Sequence, residues 1–264
     1  MDYQRPLDQN SLHNSALVIA HPGHEIRAHR LLESFQPTVF VITDGSGSAG
    51  ISRLNSTARI VESCGARAGS VFGRQSDRTI YRWIREQNFG GFIDLAESLA
   101  KEFVRLQVTH VYGDMAEGHN PAHDITRMII NVAVARAGEK RDPISNLDFP
   151  LTGAPNRCLR ESPEASVLQL DDAAVYRKLR NARSYPELED EVDLSLEQYG
   201  VEPFRWEVYR PIALTDGFFI LDSDLPFYET YGRRQVARGR YDELITYRNH
   251  IEPLARRLRA CLKG

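Results

Sequence analysis

Apolar residues in the first half of the chain alternate between short unbroken runs and helical stripes. Residues 17–20 are an apolar run that ends at a Pro-Gly step, which is typical of a buried strand. The next apolar residues recur at helical spacing: Ala28, Leu31, Leu32 and Phe35. The same alternation predicts strands at 38–42, 70–72 and 108–112, and helices at 53–64, 92–106 and 125–133. We therefore predict an α/β fold with a doubly wound, mostly parallel sheet and helices on both faces.

The second half of the chain has a less regular pattern. Residues 142–163 are rich in Pro and Gly steps, which predicts an irregular lid, binding loop or linker. Further elements are predicted as follows: helices at 171–182 and 185–199, strands at 204–214 and 217–221, and a last helix at 244–258. Pro253 should bend or divide that last helix. We expect a Rossmann-like core at 1–142 and a smaller C-terminal α/β extension at 143–264, packed on the core as one unit.

Two predicted strands are followed by loops that carry histidines. His21 and His24 flank the Pro22-Gly23 step after the first strand, and His123 follows the strand at 108–112. Because parallel strands place their carboxyl ends at one edge, we expect these loops to meet despite their separation in sequence. Three protein ligands leave a fourth position open for water, which a catalytic zinc ion requires. Bound zinc lowers the pKa of that water and polarises a carbonyl oxygen.

Acidic residues adjoin these histidines. Glu25, Glu117 and Asp124 are therefore candidates to orient the imidazoles. The alternative is that the chain's eight histidines form chance pairs. The four histidines outside the two loops are expected to be surface or packing residues: His13, His29, His110 and His250.

Composition restricts the classes of partner. The chain has 264 residues, of which 42% are hydrophobic and 26% charged, and its net charge is -3. This balance predicts a globular protein with no general attraction to nucleic acid or an anionic membrane. The polar residues 1–14 are expected to form a loose arm, with neither a signal peptide nor a membrane anchor. Three widely spaced cysteines predict reduced thiols and a cytoplasmic setting, and they lack zinc-finger spacing. A homo-oligomer stays open.

The histidine loops resemble the two signatures of a known family, the LmbE-like or PIG-L-like zinc-dependent N-deacetylases. The family's first signature is Ala-His-Pro-Asp-Asp-Glu, and residues 20–25 read Ala-His-Pro-Gly-His-Glu. Its second is His-Pro-Asp-His, often preceded by Glu-Gly-Gly, and residues 117–124 read Glu-Gly-His-Asn-Pro-Ala-His-Asp. Weaker similarities occur at Thr43-Asp44-Gly45, Arg53, Asp77 and residues 171–186 with Lys178. The family removes acetyl groups from N-acetylglucosamine units of glycolipids, thiol precursors and other glycoconjugates.

The resemblance implies a zinc site that differs from that of the family. His21 and His123 stand at family metal ligands, and His24 replaces an aspartate ligand. Imidazole is a good zinc donor, so this replacement can keep the metal while making the site more positive. Gly23 stands where the family has the aspartate that acts as general base.

Other groups must therefore supply the acid–base chemistry. Three nearby carboxylates are the candidates for the base: Glu25, Asp44 and Glu117. His119 is a candidate acid or oxyanion partner, because Asn120 stands where the family has its histidine. The resemblance also implies substrate contacts from three positions: Arg53, Asp77 and Asn120.

The segment from Tyr231 to Arg240 contains four arginines. Such a cluster suits the phosphate or carboxylate of a nucleotide sugar or an acidic saccharide, although a solvated basic surface is the alternative. Taken with the resemblance, the leading expectation is zinc-dependent removal of an N-acetyl group from an amino sugar, sugar nucleotide or glycoconjugate. The alternatives are a non-catalytic sugar- or metal-binding protein on the same scaffold and an O-acetyl esterase.

Overall fold

A single mixed sheet forms the centre of the molecule. The computed structural model describes residues 5–6, 14–47, 50–219 and 225–262. Within these residues the strands are β1 (Arg5–Pro6), β2 (Ser15–Ile19), β3 (Thr38–Thr43), β4 (Arg67–Gln75), β5 (His110–Asp114), β6 (Ser145–Phe149), β7 (Ser166–Gln169) and β8 (Trp206–Pro211). Their order across the sheet is β1-β7-β8-β6-β5-β2-β3-β4. β8 runs antiparallel to β6 and β7, and the other pairings are parallel.

Helices cover both faces of this sheet. The α-helices are α1 (His29–Phe35), α2 (Leu54–Ser63), α3 (Asp77–Arg85), α4 (Phe89–Arg105), α5 (Pro121–Gly138), α6 (Asp172–Arg183), α7 (Glu189–Tyr199), α8 (Phe227–Ala237) and α9 (Glu252–Ala260). Single turns of 3-10 helix occur at His24–Ala28, Arg157–Leu159 and Glu202–Arg205, and a π-helical turn at Tyr247–Ile251. Across the described residues, none of the helices combines the length and the apolar character needed to cross a membrane.

The residues of β2 explain why its apolar run is unbroken. All five are buried, and successive side chains point to opposite faces of the sheet. Ala16 and Val18 join a core built with α4, α5 and α9, whereas Leu17 and Ile19 join a core built with α1 and α2. A strand covered on both faces needs apolar side chains on both, so alternation with polar residues is lost. The predicted α/β fold is confirmed.

The strand order reverses beside β2. The chain continues from β2 to β3 and β4 on one side, and then crosses to β5 on the other. β2 and β5 are parallel neighbours, with Leu17 opposite Tyr112. Ligand sites of open α/β sheets lie outside the carboxyl ends of the strands at such a reversal. The two histidine loops follow these two strands.

The prediction of an irregular segment at 142–163 was wrong near its start, because β6 lies there. Asn146 and Asp148 are polar residues of β6, but both are buried. Asn146 accepts a hydrogen bond from Arg127, and Asp148 accepts two from Arg210. These buried polar pairs hide the strand from a hydrophobicity pattern. β6, β7 and β8 continue the sheet that holds the first half's strands, and the division at residue 142 stays a prediction.

Other elements of the second half differ in their bounds. The strand predicted at 204–214 is confined to β8. Residues 217–219 of the predicted strand 217–221 are not extended into a strand, and Gly217 has a φ of 75°. Residues 220 and 221 lie outside the described residues, as do 1–4 and 7–13 of the predicted N-terminal arm. Pro253 lies in the first turn of α9, where its missing N–H costs nothing, and a π-helical turn precedes it. The helices α3 and α8 were not predicted.

Candidate functional site

The first histidine loop connects β2 to α1 through one tight turn. Gly23 has a φ of 105°, a backbone conformation that side-chain-bearing residues rarely adopt, and it precedes the 3-10 turn that begins at His24. The backbone N–H of Ala20 donates to Oδ2 of Asp114 at 2.7 Å, which joins the end of β2 to the end of β5. His21 is buried, and His24 is mostly covered. The turn therefore presents both imidazoles at the strand-end edge.

The second loop brings His123 to the same edge in the first turn of α5. The side chain of Asn120 caps this helix by accepting a hydrogen bond from the N–H of Ala122 at 2.8 Å. Pro121 follows at the first helical position, where its fixed φ suits a helix start. A helix that begins at this point buries His123 in its first turn. Local capping chemistry thus fixes where this imidazole lies.

The three predicted ligand histidines lie together. The ring centroids are 5.4 Å apart for His21 and His24, 5.1 Å for His21 and His123, and 4.5 Å for His24 and His123. Zinc–nitrogen bonds of about 2.0–2.1 Å to three imidazoles would hold the ring centroids roughly 5 Å apart. The spacing of the rings therefore matches that of a three-histidine zinc site.

Two carboxylates from other elements, Asp77 at the start of α3 and Asp114 at the end of β5, hold the imidazoles of the first loop. Nδ1 of His21 lies 3.0 Å from Oδ1 of Asp77 and 2.7 Å from the hydroxyl of Thr43. Nδ1 of His24 lies 2.8 Å from Oδ2 of Asp114. A proton on each Nδ1 satisfies these oxygens and leaves the Nε2 lone pair available. Carboxylates that orient metal-binding imidazoles in this way are common around zinc.

Several polar atoms of this cluster are buried without a hydrogen-bond partner among the described residues: Nε2 of His21, Nδ1 of His123 and Oδ1 of Asp114. Burial lowers the pKa of His21, and burial together with the two neighbouring imidazoles holds the pKa of His123 well below its ordinary value. Both imidazoles are therefore neutral at physiological pH and keep a lone pair, which is the form that binds metals. The donor set fits zinc.

The side chains of the cluster are nevertheless not arranged as a formed metal site. As the side chains stand, no group of three His, Cys, Asp or Glu residues in the described ranges could hold a metal ion. Metal binding at this cluster therefore requires these side chains to shift from their present positions.

Of the predicted orienting and catalytic carboxylates, Glu25 and Glu117 are fully engaged elsewhere. Glu25 accepts hydrogen bonds from the Tyr185 hydroxyl and the N–H of Gly23, each at 2.8 Å, and its burial raises its pKa. Glu117 accepts from the N–H groups of Leu151 and Thr152, from the Thr152 hydroxyl and from Arg157. These contacts hold the loops around the site, and neither carboxylate bonds an imidazole of the described residues.

Asp124 also takes a structural part instead of orienting an imidazole. Its Oδ1 accepts hydrogen bonds from the N–H groups of Glu117 and Gly118 at 3.0 and 3.1 Å. These contacts close the second loop onto the start of α5, and burial raises the pKa of Asp124 to about 7. The carboxylates that do hold imidazoles come from β5 and from the start of α3.

Asp44 and His119 remain accessible. Oδ1 of Asp44 accepts from the N–H groups of Ser46 at 3.0 Å and Asp77 at 3.3 Å, while Oδ2 has no partner among the described residues. His119 is exposed, and its ring stacks on Phe227 with centroids 4.5 Å apart. Both side chains are therefore free to meet a ligand.

The three predicted substrate-binding residues have different surroundings. One oxygen of Asp77 bonds His21, and the other accepts a hydrogen bond from the N–H of Gly47 at 2.6 Å. Both oxygens of Asp77 therefore already have partners within the protein. Arg53 donates to the carbonyl of Gly45 at 2.7 Å and so braces the loop after β3. Asn120 caps α5 and accepts a hydrogen bond from the Tyr81 hydroxyl at 3.1 Å.

Gly23 stands in contact with a residue from the second half. A Cβ built on Gly23 would overlap the Cδ1 atom of Leu188, which lies just before α7. A longer side chain at this position would require Leu188 to move. The turn therefore has no room, as it stands, for the aspartate that the family resemblance would place there.

The sequence did not identify the roles of Asp114 and Tyr185. Asp114 ends β5 at the same edge as His21, and an acidic residue at a strand's carboxyl end was the signal that could have found it. The contact between Tyr185 and Glu25 joins residues 160 positions apart, and no local pattern indicates it.

Comparison with known proteins supports the fold. No protein family's sequence model matches the chain, and no curated protein matches it in sequence. The crystal structure of antimicrobial reagent A40926 pseudoaglycone deacetylase Dbv21 is similar, with a TM-score of 0.54, 18% identity, and coverage of 76% of this chain and 97% of that chain. At this identity the likeness concerns the fold alone.

Two further solved structures are more distant. The conserved protein TT1542 from Thermus thermophilus has a TM-score of 0.49 and 15% identity, covering 76% of this chain and 94% of that chain. The zinc inhibited form of teicoplanin deacetylase Orf2 has a TM-score of 0.45 and 11% identity, covering 85% and 94%. The chain thus has the α/β fold of the Dbv21 deacetylase, with a cluster of three imidazoles at the strand-end edge of its sheet.

Proposed function

We propose that this protein is a zinc-dependent hydrolase that removes an N-acetyl group from an amino sugar, a sugar nucleotide or a glycoconjugate. The observation that carries the proposal is the convergence of His21, His24 and His123, with ring centroids 4.5–5.4 Å apart, at the strand reversal of a sheet whose fold is that of a deacetylase. The family resemblance of the two histidine loops supports the same reaction.

The protein's own residues would hold and tune the metal. His21, His24 and His123 would bind it, and Asp77, Thr43 and Asp114 would keep the first two imidazoles in the required tautomer. When bound, zinc supplies a water of lowered pKa and polarises the acetyl carbonyl. Burial of the cluster excludes bulk water, which strengthens these electrostatic interactions.

Asp44 and His119 are the acid–base groups that the contacts favour. Among the described residues, Oδ2 of Asp44 has no hydrogen-bond partner and Asp44 adjoins Asp77, whereas the carboxylates of Glu25 and Glu117 already accept several hydrogen bonds. In this proposal Asp44 accepts a proton from the attacking water. His119 donates a proton to the amide nitrogen as the carbon–nitrogen bond breaks, so acetate and a free amine leave.

Zinc content and acetate release test the proposal together. Purified protein is assayed for bound zinc and for acetate released from N-acetylglucosamine and its phosphorylated and nucleotide-linked forms. We expect His123→Ala to lower both by at least about tenfold, because a ligand is lost. His110→Gln is the control, since His110 lies on β5 and stacks on Tyr112 instead of joining the cluster. Equal zinc binding by the His123→Ala protein would contradict the site.

The base is tested separately. Asp44→Asn should lower kcat by about 10²-fold or more while zinc content stays unchanged, since only proton transfer is lost. Glu117→Gln is the comparison variant, because the Glu117 carboxylate holds a loop through its contacts with Leu151 and Thr152. If Asp44→Asn keeps full turnover, the base is another group.

A second candidate function is a non-catalytic sugar- or metal-binding protein on the same scaffold. The contact between Gly23 and Leu188 favours it, because the family's base position is both unfilled and closed by a side chain. Zinc binding and sugar binding without acetate release from any of these substrates would establish this candidate over the hydrolase.

A further inference from the structure

One side of α8 carries exposed aromatic and basic residues in a single line. Phe227, Tyr231, Arg234 and Arg238 are spaced at i, i+4, i+7 and i+11, which places them on one side of the helix. All four belong to exposed positions, with Phe227 45% and Tyr231 39% accessible. Large aromatic side chains exposed together on a surface mark an interaction site more often than isolated ones do. We call these four residues the α8 face.

The α8 face begins at the second histidine loop. The ring of His119 stacks on Phe227 with centroids 4.5 Å apart and planes inclined by 4°, and Phe227 in turn stacks on Tyr231 at 5.8 Å and 23°. The backbone N–H of Tyr228 donates to the carbonyl of Gly118 at 3.4 Å. These contacts place the aromatic end of the face beside the loop that leads into His123, and the arginines farther away.

The two arginines of the face have no acidic partner among the described residues. Arg233, on the same helix, differs because it pairs with Glu229 at 2.6 Å. Arg234 and Arg238 are one helical turn apart, so their guanidinium groups can approach the same anion. Phe227 and Arg234 are seven residues apart, which corresponds to about 10 Å along the helix axis.

We infer that the α8 face binds the phosphate of a phosphorylated N-acetylated sugar. This inference rests on the proposed function, because it takes the acetamido group to lie at the histidine cluster. The sugar ring packs on Phe227 and Tyr231, and the phosphate accepts hydrogen bonds from Arg234 and Arg238. The order of the residues along the face matches a ligand whose phosphate is remote from its acetamido group, as in a sugar 6-phosphate or at the distal phosphate of a nucleotide sugar. Guanidinium groups are suited to bidentate phosphate contacts.

Binding measurements with the full-length protein test the inference without relying on turnover. The probes are N-acetylglucosamine, its 6-phosphate and its uridine diphosphate derivative, titrated calorimetrically. We expect both phosphorylated probes to bind at least about tenfold more tightly than the neutral sugar, because charge-assisted hydrogen bonds are added. Tighter binding of the uridine diphosphate derivative would identify a nucleotide sugar as the source of the phosphate, and equal binding would identify a sugar phosphate. Either result supports the inference.

Substitutions on α8 supply the matched comparison. The Arg234→Gln/Arg238→Gln protein should lose the preference for phosphorylated probes while its affinity for neutral N-acetylglucosamine stays within about twofold. Arg233→Gln should keep the preference, because Arg233 is paired and lies off the face. The Phe227→Ala/Tyr231→Ala protein should bind all three probes more weakly, since every probe contains the sugar ring that packs on these side chains. All these positions are exposed, so the variants should fold.

Three results would overturn the inference. These are equal affinity for neutral and phosphorylated sugars, an equal loss of preference in Arg233→Gln, or binding of the α8 face to vesicles of phosphatidylglycerol without discrimination among the soluble sugars. Acetate release from neutral and phosphorylated sugars alike, together with equal affinities, would overturn the inference and leave the proposed function standing. Phosphate-dependent binding without acetate release would overturn the proposed function and leave the phosphate contact standing.

Discussion

Nδ1 of His24 lies 2.8 Å from Oδ2 of Asp114, although the two residues are 90 positions apart in the chain. The same Asp114 oxygen accepts the backbone N–H of Ala20, so one buried carboxylate joins the ends of two neighbouring strands to one imidazole. Its second oxygen, Oδ1, is buried without a partner among the described residues. Asp114 is thus the residue through which the sheet itself controls the orientation of His24.

Asp114→Asn should weaken zinc binding by about 10–100-fold, the usual effect of removing a carboxylate that orients a ligand imidazole. The asparagine retains the size of the side chain and loses the charge that favours a proton on Nδ1 of His24. Competition with a chelating dye measures the affinity. Asp148→Asn is the control, because Asp148 is a buried carboxylate of the adjoining strand that pairs with Arg210. Equal loss of affinity in the two variants would remove the special role of Asp114.

Gly23→Asp should destabilise the fold by about 2–6 kcal/mol instead of restoring a family-like base. The side chain must adopt a φ of 105°, which costs about 1–3 kcal/mol, and its Cβ must displace Leu188, which costs about 1–3 kcal/mol. Urea unfolding measures the change. Adding Leu188→Ala should recover the part due to overlap and leave the part due to the backbone. If Gly23→Asp is as stable as the natural protein, the turn is more adaptable than these contacts indicate.

The buried pair of Lys178 and Glu207 anchors the helix that follows the first histidine loop. Nζ of Lys178 lies 2.9 Å from Oε1 of Glu207, and both side chains are almost completely buried. The Glu207 carboxylate also accepts the N–H groups of Arg30 and Leu31 at the start of α1. This contact fixes α1 against β8 and α6, and it therefore fixes the turn that carries His24.

Lys178→Met should lower the free energy of unfolding by about 3–5 kcal/mol, because it leaves a buried carboxylate without its counter-ion. Arg177→Met should cost less than about 1 kcal/mol, because Arg177 is 40% exposed in its pair with Glu33. Both values come from urea unfolding monitored by circular dichroism. The double variant Lys178→Met/Glu207→Gln should be less destabilised than the sum of its single changes. Additive effects would show that the two groups do not stabilise each other.

Cysteine alkylation should distinguish Cys261 from the other two thiols. Burial raises the pKa of Cys64 and of Cys158 to about 11 in each case, whereas Cys261 is only partly covered. At pH 8 a thiol with such a pKa holds on the order of a hundredfold less thiolate than an ordinary cysteine, and thiolate is the reactive form. Iodoacetamide should therefore modify Cys261 first, and reaction at the others should increase as the pH rises. Mass spectrometry of native and urea-unfolded protein checks the order.

The elements that could be predicted were those whose own sequence pattern shows which of their residues are buried. β2 and β3 contain unbroken apolar runs, and α5 carries a helical stripe, so each was recognisable alone. β6 was not, because its buried Asn146 and Asp148 are satisfied by arginines from other elements. α8 was missed for the opposite reason. Its exposed aromatic and basic residues resemble a surface segment, and only its packing shows a helix.

The same distinction between local pattern and spatial contact applies to the candidate site. The sequence placed His21, His24 and His123 after strands, and the rule for parallel sheets brought them to one edge. It offered Glu25, Glu117 and Asp124 as orienting carboxylates because they were neighbours in sequence. In the folded protein the orienting groups are Asp77 and Asp114, which are neighbours only in space.

By itself, the sequence determined the α/β architecture and the edge of the sheet where the histidines gather, because periodicity and strand-end position are local properties of the chain. The tertiary structure alone decided which carboxylate faces which imidazole, that Leu188 closes over Gly23, and that α8 adjoins His119. A hydrogen bond or a steric contact depends on distances between segments that are remote in sequence. Those distances are set by packing of the whole core, which no local pattern records.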